Sequence, residues 1–434
     1  MRPRFLVLLL PLAACASPAP PPAPPLAAGP PAIAPLAPAA DAAGVPAQST
    51  VTPPTASGDM IFDAWASDFQ GRALAAGIAP GVLSREMAGL TPDPRVAGLD
   101  SRQPEFSKPV GDYLRGVVTS DRIVIGARRQ ADTPQMGAIE ARFGVPRQIL
   151  VGVWALESGF GSIQGEMDTL RSLATLAAQG RRRAWAEGEL IATLKIIQSG
   201  EFPRARLRGS WAGAMGQTQF IPTTFLSTAV DQDGDGKRDI WASAPDALAS
   251  AANLLAKAGW VRGQSWAREV TVPPGFDFGL TEGPRESPAW WADKGVRPAD
   301  GRPWSAVDAA AEAQLIAPAG ASGPIFLLLP NHFAIRKYNN SIAYALGVGL
   351  LADRLAGAGP LVKAWPQETP LSLVDRMTAQ RALTALGFDP GGADGVVGMG
   401  TRKALREWQK ARGLVADGYL STDMVRRLRA EAGG

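Results

Sequence analysis

The sequence predicts a mainly α fold (α+β): a helical body with a small inserted β-containing part, followed by a separate three-helix domain at the C-terminus. Three observations predict it. Apolar residues recur at helical spacing through most of residues 58–358. Two strand-like runs, Val270-Thr271-Val272-Pro273-Pro274 and Pro324-Ile325-Phe326-Leu327-Leu328-Leu329-Pro330, bracket a Pro/Gly/Trp-rich stretch, placing the inserted part at about 264–330. After Pro366 the helical rhythm restarts with its own turns and caps and runs to about residue 431. A chain of 434 residues, 46% of them hydrophobic, is long enough for two or three such units.

At the N-terminus, Arg2 and Arg4 precede an apolar run at 5–10 that is too short to span a bilayer as a stable helix, the pattern of an export signal. Leu12-Ala13-Ala14-Cys15 resembles the bacterial lipobox, so residues 1–15 are expected to be a lipoprotein signal with Cys15 lipidated. Several acyl chains on one residue exceed what stable anchoring needs. Ala16 and Ser17, with no Asp after the cysteine, imply by the same resemblance a periplasmic protein anchored to the outer membrane. Residues 16–57 are Pro/Ala-rich with almost no charge and no periodicity, a semi-extended tether and not a fold.

In the body, Ile61, Trp65 and Phe69 fall at steps of four, and Thr133-Pro134 opens a helix carrying Ile139 and Phe143 that Gly144 closes. Pro146 suits the first position of the next helix. There Ile149, Val153 and Leu156 stand at i, i+4 and i+7, and Gly159 and Gly161 end the pattern just past Glu157. Residues 170–199 continue in helical rhythm, with Arg181-Arg182-Arg183 read as a solvated face. Glu157 is therefore a lone acid at a helix C-terminus. The negative end of the helix dipole and apolar neighbours both disfavour its charged form, which raises its pKa and makes a proton donor. A helix-end Glu that points to water is the alternative reading.

One cysteine, Cys15, and one histidine, His332, exclude an intrachain disulfide, a Cys/His zinc site and a cysteine nucleophile in the body. His332, beside Phe333 in an apolar run, reads as a satisfied structural imidazole and not as a triad base. A net charge of +4 is too weak to argue for nucleic acid. Carboxylate chemistry is what remains.

Residues 209–225 read Gly-Ser-Trp-Ala-Gly-Ala-Met-Gly-Gln-Thr-Gln-Phe-Ile-Pro-Thr-Thr-Phe, small enough for backbone to approach a ligand. Ser210 and Gln219 offer hydrogen bonds there, and Phe220 a face for a ring. Asp231, Asp233 and Asp235, with Gly236 at the sixth position, match the opening of an EF-hand loop, but Ala242 stands where the bidentate Glu should be. The alternative is an acidic turn in which Asp246 only caps a helix. Trp290-Trp291 reads as packing before sugar stacking. After Tyr338 and Asn339 a helix through Ile342, Leu346 and Leu350 returns to the core.

Three blocks, Glu157-Ser158-Gly159-Phe160-Gly161, the small-residue loop, and Arg336-Lys337-Tyr338-Asn339-Asn340-Ser341-Ile342-Ala343-Tyr344-Ala345, resemble the signatures of the membrane-bound lytic murein transglycosylase B family. The resemblance implies a lysozyme-like domain that cleaves the β-1,4 bond between N-acetylmuramic acid and N-acetylglucosamine in peptidoglycan glycan strands. In that family one Glu acts as acid and then base, the muramic N-acetyl group assists, and a 1,6-anhydro end results. Mapped here, Glu157 is catalytic, Ser210, Gln219, Phe220, Tyr338 and Asn339 bind substrate, and a low-affinity Ca²⁺ is held by Asp231, Asp233, Asp235, Asp246 and the Lys237 carbonyl. No organic cofactor and no nucleic acid are expected, and a monomer is. A hydrolytic muramidase and a non-catalytic wall-binding scaffold remain as alternatives.

In the last unit, 366–431, helices carry Val374, Met377, Leu383 and Leu386, then Ala404, Leu405 and Trp408 behind a Thr401 cap, then Met424, Val425 and Leu428 behind a Ser421 cap. Asp394-Gly395-Val396-Val397-Gly398-Met399-Gly400-Thr401, with Trp408-Gln409 and Asp417-Gly418, is similar to the peptidoglycan-binding domain found beside cell-wall hydrolases.

Overall fold

The computed structural model describes residues 56–101 and 108–433. The expected signal, Cys15 and nearly all of the tether lie outside the described residues.

Helix Arg147–Ser158 runs through the middle of the body, and every residue from 149 to 155 is buried. A helix apolar on all sides has to be enclosed. Helices Met136–Phe143, Ala244–Lys257 and Ile342–Leu355 enclose it in one core. The last crosses so closely that a Cβ on Gly152 would stand 2.9 Å from the Val348 carbonyl oxygen. Pro146 is the N-cap and not the first helical residue, because its ψ of 138° is extended. The preceding helix likewise starts at Met136 and not at the Thr133-Pro134 pair.

A second core gathers helices Met60–Ala75, Pro80–Met87, Thr169–Gln179 and Arg183–Ser199. In the first of these Phe62, Trp65 and Phe69 are buried, whereas Ile61 is 64% exposed, so the apolar stripe starts one residue later than the step-of-four pattern implied. The run at 170–199 is two helices, broken where Gly180 is extended. The arginine triplet sits on that corner, with Arg181 and Arg183 exposed as a solvated face predicts, yet each arginine also makes a contact with the protein. Arg183 donates to the Ala177 and Ala178 carbonyls, capping the first helix, Arg181 donates to the Asp100 carbonyl, and Arg182 lies 4.4 Å over the Trp185 ring.

The inserted part is a five-stranded antiparallel sheet in the order Arg285–Glu286, Ala313–Ile316, Ile325–Leu328, Ala267–Thr271, Arg297–Pro298. Alternation explains its continuous apolar runs: Phe326 and Leu328 face the core of the central helix, while Ile325 and Leu327 face a small outer core around Trp291. Trp291 is fully buried, donates to the Ala313 carbonyl at 2.8 Å and meets Trp290 edge-on, as packing requires. His332 is also fully buried and stacks on Trp266, but neither ring nitrogen has a hydrogen-bond partner among the described residues. Burial, with Arg336 nearby, pushes its pKa down to about 3, so the imidazole is structural and neutral but not satisfied as expected.

The chain beyond residue 358 stays on the body. Val362 and Lys363 donate backbone N–H groups to Glu269, and Trp365 stacks on Phe326. Helices Leu373–Ala385, Met399–Ala411 and Thr422–Glu431 then close around Leu383, Leu405, Trp408 and Leu428. Ser421 caps the third helix through the Met424 amide. Thr401 does not cap the second, whose N-cap is Gly398; its buried hydroxyl instead accepts from the Gln380 side chain.

Candidate active site

The central helix ends at Ser158, and three residues in a row then take positive φ: Gly159 (57°), Phe160 (61°) and Gly161 (82°). The Gly159 and Phe160 amides close back on the Ala155 and Trp154 carbonyls, which stops the helix. Phe160 adopts a conformation unusual for a side chain and is held there, buried, with its ring edge-on to Trp154 at 5.9 Å. Glu157 thus stands in the last turn, fixed on one side by the helix and on the other by a left-handed turn.

Its carboxyl is half-buried, and Tyr344 donates to Oε1 at 2.6 Å. Burial pushes the Glu157 pKa up to about 7, and the Tyr344 hydrogen bond, which favours the ionised form, only partly opposes this. Tyr344 is fully buried in the first turn of Ile342–Leu355. Tyr338 and Tyr113 also lie within electrostatic reach of Glu157, and for all three tyrosines burial, then the nearby carboxylate, raises the phenol pKa. Three of the chain's four tyrosines therefore surround this one acid. Tyr344 stands inside the third sequence block and Tyr113 outside all three, and no local spacing connects either to Glu157.

Two other acids of the body, Glu189 and Glu201, are engaged in contacts of their own. Glu189 accepts from the Thr223 amide and hydroxyl, and Glu201 from the Arg238 amide and guanidinium. Burial alone would raise the Glu201 pKa, but the Arg238 contacts outweigh it and hold the group low.

The small-residue loop folds against the turn. The Ser210 hydroxyl accepts from the Ala212 and Ala214 amides, so its lone pairs are taken while its own proton stays available. Gln219, with φ of 50°, spends both side-chain N–H groups on the Gln164 and Gly216 carbonyls, leaving its side-chain oxygen as an acceptor. Phe220 is a correction. Its backbone pairs with Met215, which turns the ring inward, where it is 2% exposed against Tyr338 and cannot offer a face to a sugar. The Tyr338 hydroxyl donates to the Thr218 carbonyl at 2.5 Å, and Asn339 leaves the helix as its extended C-cap. A groove of about 580 Å³ opens beside the turn, lined by Gly161, Gln164, Arg206, Arg208 and Trp241.

Farther along, Asp231, Asp233, Asp235 and Asp246 converge, each offering an oxygen within 4.8 Å of the others. Asp246 is fully buried and accepts from the Gln232, Asp233 and Asp239 amides, which wraps the loop around it. It lies in the first turn of Ala244–Lys257, whose cap is Ser243. Burial, then the Asp233 charge, raises its pKa. None of the four carboxylates has an ion-pair partner among the described residues. Four like charges brought together without a cation fit an oxygen-ligated Ca²⁺. Lys237 follows directly, its amide donating to Asp235.

A protonatable carboxyl at the end of the central helix of a mainly helical, lysozyme-like body defines an enzyme of the lysozyme-like class. The chain belongs to the transglycosylase SLT domain family, whose model matches residues 61–353, and residues 373–428 match the putative peptidoglycan binding domain. It is 34% identical over 216 residues to the membrane-bound lytic murein transglycosylase B of Escherichia coli K12; that stretch covers 49% of this chain and 58% of that protein. The crystal structure of SltB3 from Pseudomonas aeruginosa in complex with NAG-anhNAM-pentapeptide superposes with a TM-score of 0.80 at 48% identity, covering 86% of this chain and 100% of that one. Escherichia coli Slt35 in complex with calcium matches with a TM-score of 0.58 at 28% identity, over 67% of this chain and 92% of that one.

Proposed function

We propose that this chain is a lytic transglycosylase that cleaves the β-1,4 bond between N-acetylmuramic acid and N-acetylglucosamine in peptidoglycan, leaving a 1,6-anhydromuramic end. The observation that carries this is Glu157: one carboxyl at the end of the central helix, hydrogen-bonded by Tyr344 and made protonatable near neutral pH by burial. It protonates the glycosidic oxygen while the muramic N-acetyl group supports the cationic carbon. As a carboxylate it then takes the proton of the sugar's C6 hydroxyl, so no water is consumed. A pKa near the working pH suits a group that must both give and take a proton.

The Ser210 hydroxyl proton and the Gln219 side-chain oxygen are not spent on the contacts that hold the loop, and they orient the muramic sugar. Tyr338 and Asn339 line the cleft. Asp231, Asp233, Asp235 and Asp246, with the Lys237 carbonyl, hold one Ca²⁺ that neutralises their mutual repulsion and fixes the loop. Cys15 carries the lipid anchor to the outer membrane, and the 366–431 unit holds a monomeric enzyme on the wall.

Digestion of purified sacculi tests this reading. Products lighter by one water than hydrolytic muropeptides support it, and mainly reducing-end products would make the protein a muramidase.

A further inference from the structure

One buried side chain joins the acid helix, the turn that follows it and the segment leaving the Asp loop. Gln217 is 5% exposed. Its Oε1 accepts from the Trp154 indole N–H at 3.0 Å, and its Nε2 donates to the Trp241 carbonyl at 3.2 Å. Its backbone amide donates to the Ile240 carbonyl at 2.8 Å, and its backbone carbonyl accepts from the Ser158 hydroxyl at 2.6 Å. That hydroxyl in turn accepts from the Gly161 amide at 2.9 Å. Gly161 is pressed against the same side chain, since a Cβ there would stand 2.5 Å from Gln217 Oε1. Trp154 and Ser158 flank Glu157 on the helix, and Gly161 ends the left-handed turn beyond it.

We propose that Gln217 is a positioning residue for the reaction: it sets the place and direction of the Glu157 carboxyl without touching the substrate. The inference rests on the proposed acid and base role of Glu157. An amide suits the position because it offers an acceptor to Trp154 and a donor to Trp241 from one planar group, which neither a carboxylate nor an apolar side chain does. The same contacts tie the acid to the Asp loop. The Ile240 and Trp241 carbonyls follow Asp239, whose amide is held by Asp246 and whose carboxylate accepts from the Trp241 amide. A small displacement of a catalytic group costs on the order of a hundredfold in rate, so the effect should fall on turnover more than on binding.

The test is steady-state cleavage of a soluble glycan by Gln217→Leu and Gln217→Glu, beside Leu83→Ala, which removes a fully buried side chain in Pro80–Met87, in the other core. Gln217→Leu should lose about ten- to a hundredfold in kcat with KM within about twofold, more than Leu83→Ala at equal melting temperature. Gln217→Glu should be impaired at pH 8, and its rate relative to wild type should recover as pH falls, because a protonated carboxyl restores the donor and acceptor pair. Should Gln217→Leu not fold, the pH dependence of that ratio decides alone. Wild-type kcat in Gln217→Leu, a loss no larger than that of Leu83→Ala, or a ratio for Gln217→Glu constant from pH 5 to 8 would each overturn the proposal. Inactive wild-type protein would instead defeat the proposed function.

Discussion

Glu157 is held in a state that folding would rather avoid at alkaline pH. Burial raises its pKa from the ordinary 4.5 to about 7, so the folded protein binds this proton more tightly than the unfolded chain does. The stability this contributes is complete below about pH 4.5 and is lost as pH rises through 7. Glu157→Gln is therefore expected to melt higher than wild type at pH 8, by about 1–3 kcal/mol in stability, and to match it near pH 4. A constant difference between the two pH values would contradict the buried, protonated carboxyl. Tyr344→Phe tests the same group from its partner. Loss of a hydrogen bond that favours the carboxylate should move the alkaline fall of the pH–rate profile up by about half to one pH unit; no movement, or movement downward, would remove Tyr344 from the account. Legibility at this scale was uneven. Glu157 was visible because a helix end and two glycines are local signals. Tyr344 and Gln217 act through contacts across 187 and 63 residues, which no spacing rule reports. Phe220 looked like a binding face because aromatic residues in polar loops often are, and an isolated backbone pairing with Met215 turned it inward.

At the scale of elements, helix Ile342–Leu355 carries Tyr344 near its start and Asp353 near its end. Trp266 donates to Asp353, whose pKa burial pushes up to about 7. By the same sign, the ionised Asp353 side chain costs stability above pH 7, and Asp353→Asn, which keeps an oxygen for the Trp266 indole, should flatten that loss while leaving kcat within about twofold. A variant that loses activity would mean the helix end is coupled to the acid. In the Asp loop, Ca²⁺ added to chelator-treated protein should raise the melting temperature by several degrees, roughly 3–8 °C, through binding to the folded state alone. Neither heat of binding nor a melting shift in calorimetry would leave the four carboxylates as an acidic turn. The loop was legible because alternate aspartates and a turn glycine are a local pattern. Asp246 entered only by resemblance, since its closing role depends on a helix packed behind the loop.

For the molecule as a whole, polar contacts join the C-terminal module to the body. Asp417 accepts from the Ala321 amide, Arg402 pairs with Glu282, and the core of the module is separate from those of the body. Such a contact is typical of domains that fold by themselves. A chain ending after Trp365 is expected to keep cleaving soluble glycan while losing most of its binding to sacculi in a pelleting assay; loss of soluble-substrate cleavage would make the module part of the catalytic unit. The three-part architecture was readable from changes in periodicity and composition. Residues 361–365 look like a linker in sequence, and their contacts with Glu269, Ala321 and Phe326 join positions too far apart for any spacing rule to report.

In the proposed mechanism a single carboxyl, Glu157, gives one proton to the glycosidic oxygen and takes another from the C6 hydroxyl. Mass spectrometry of sacculi digested by wild type and by Glu157→Gln tests it most directly. Wild type should release anhydro products lighter by one water than hydrolytic ones, and the variant, still folded and wall-bound, should release essentially none. Hydrolytic products from wild type, or undiminished release by Glu157→Gln, would contradict the account.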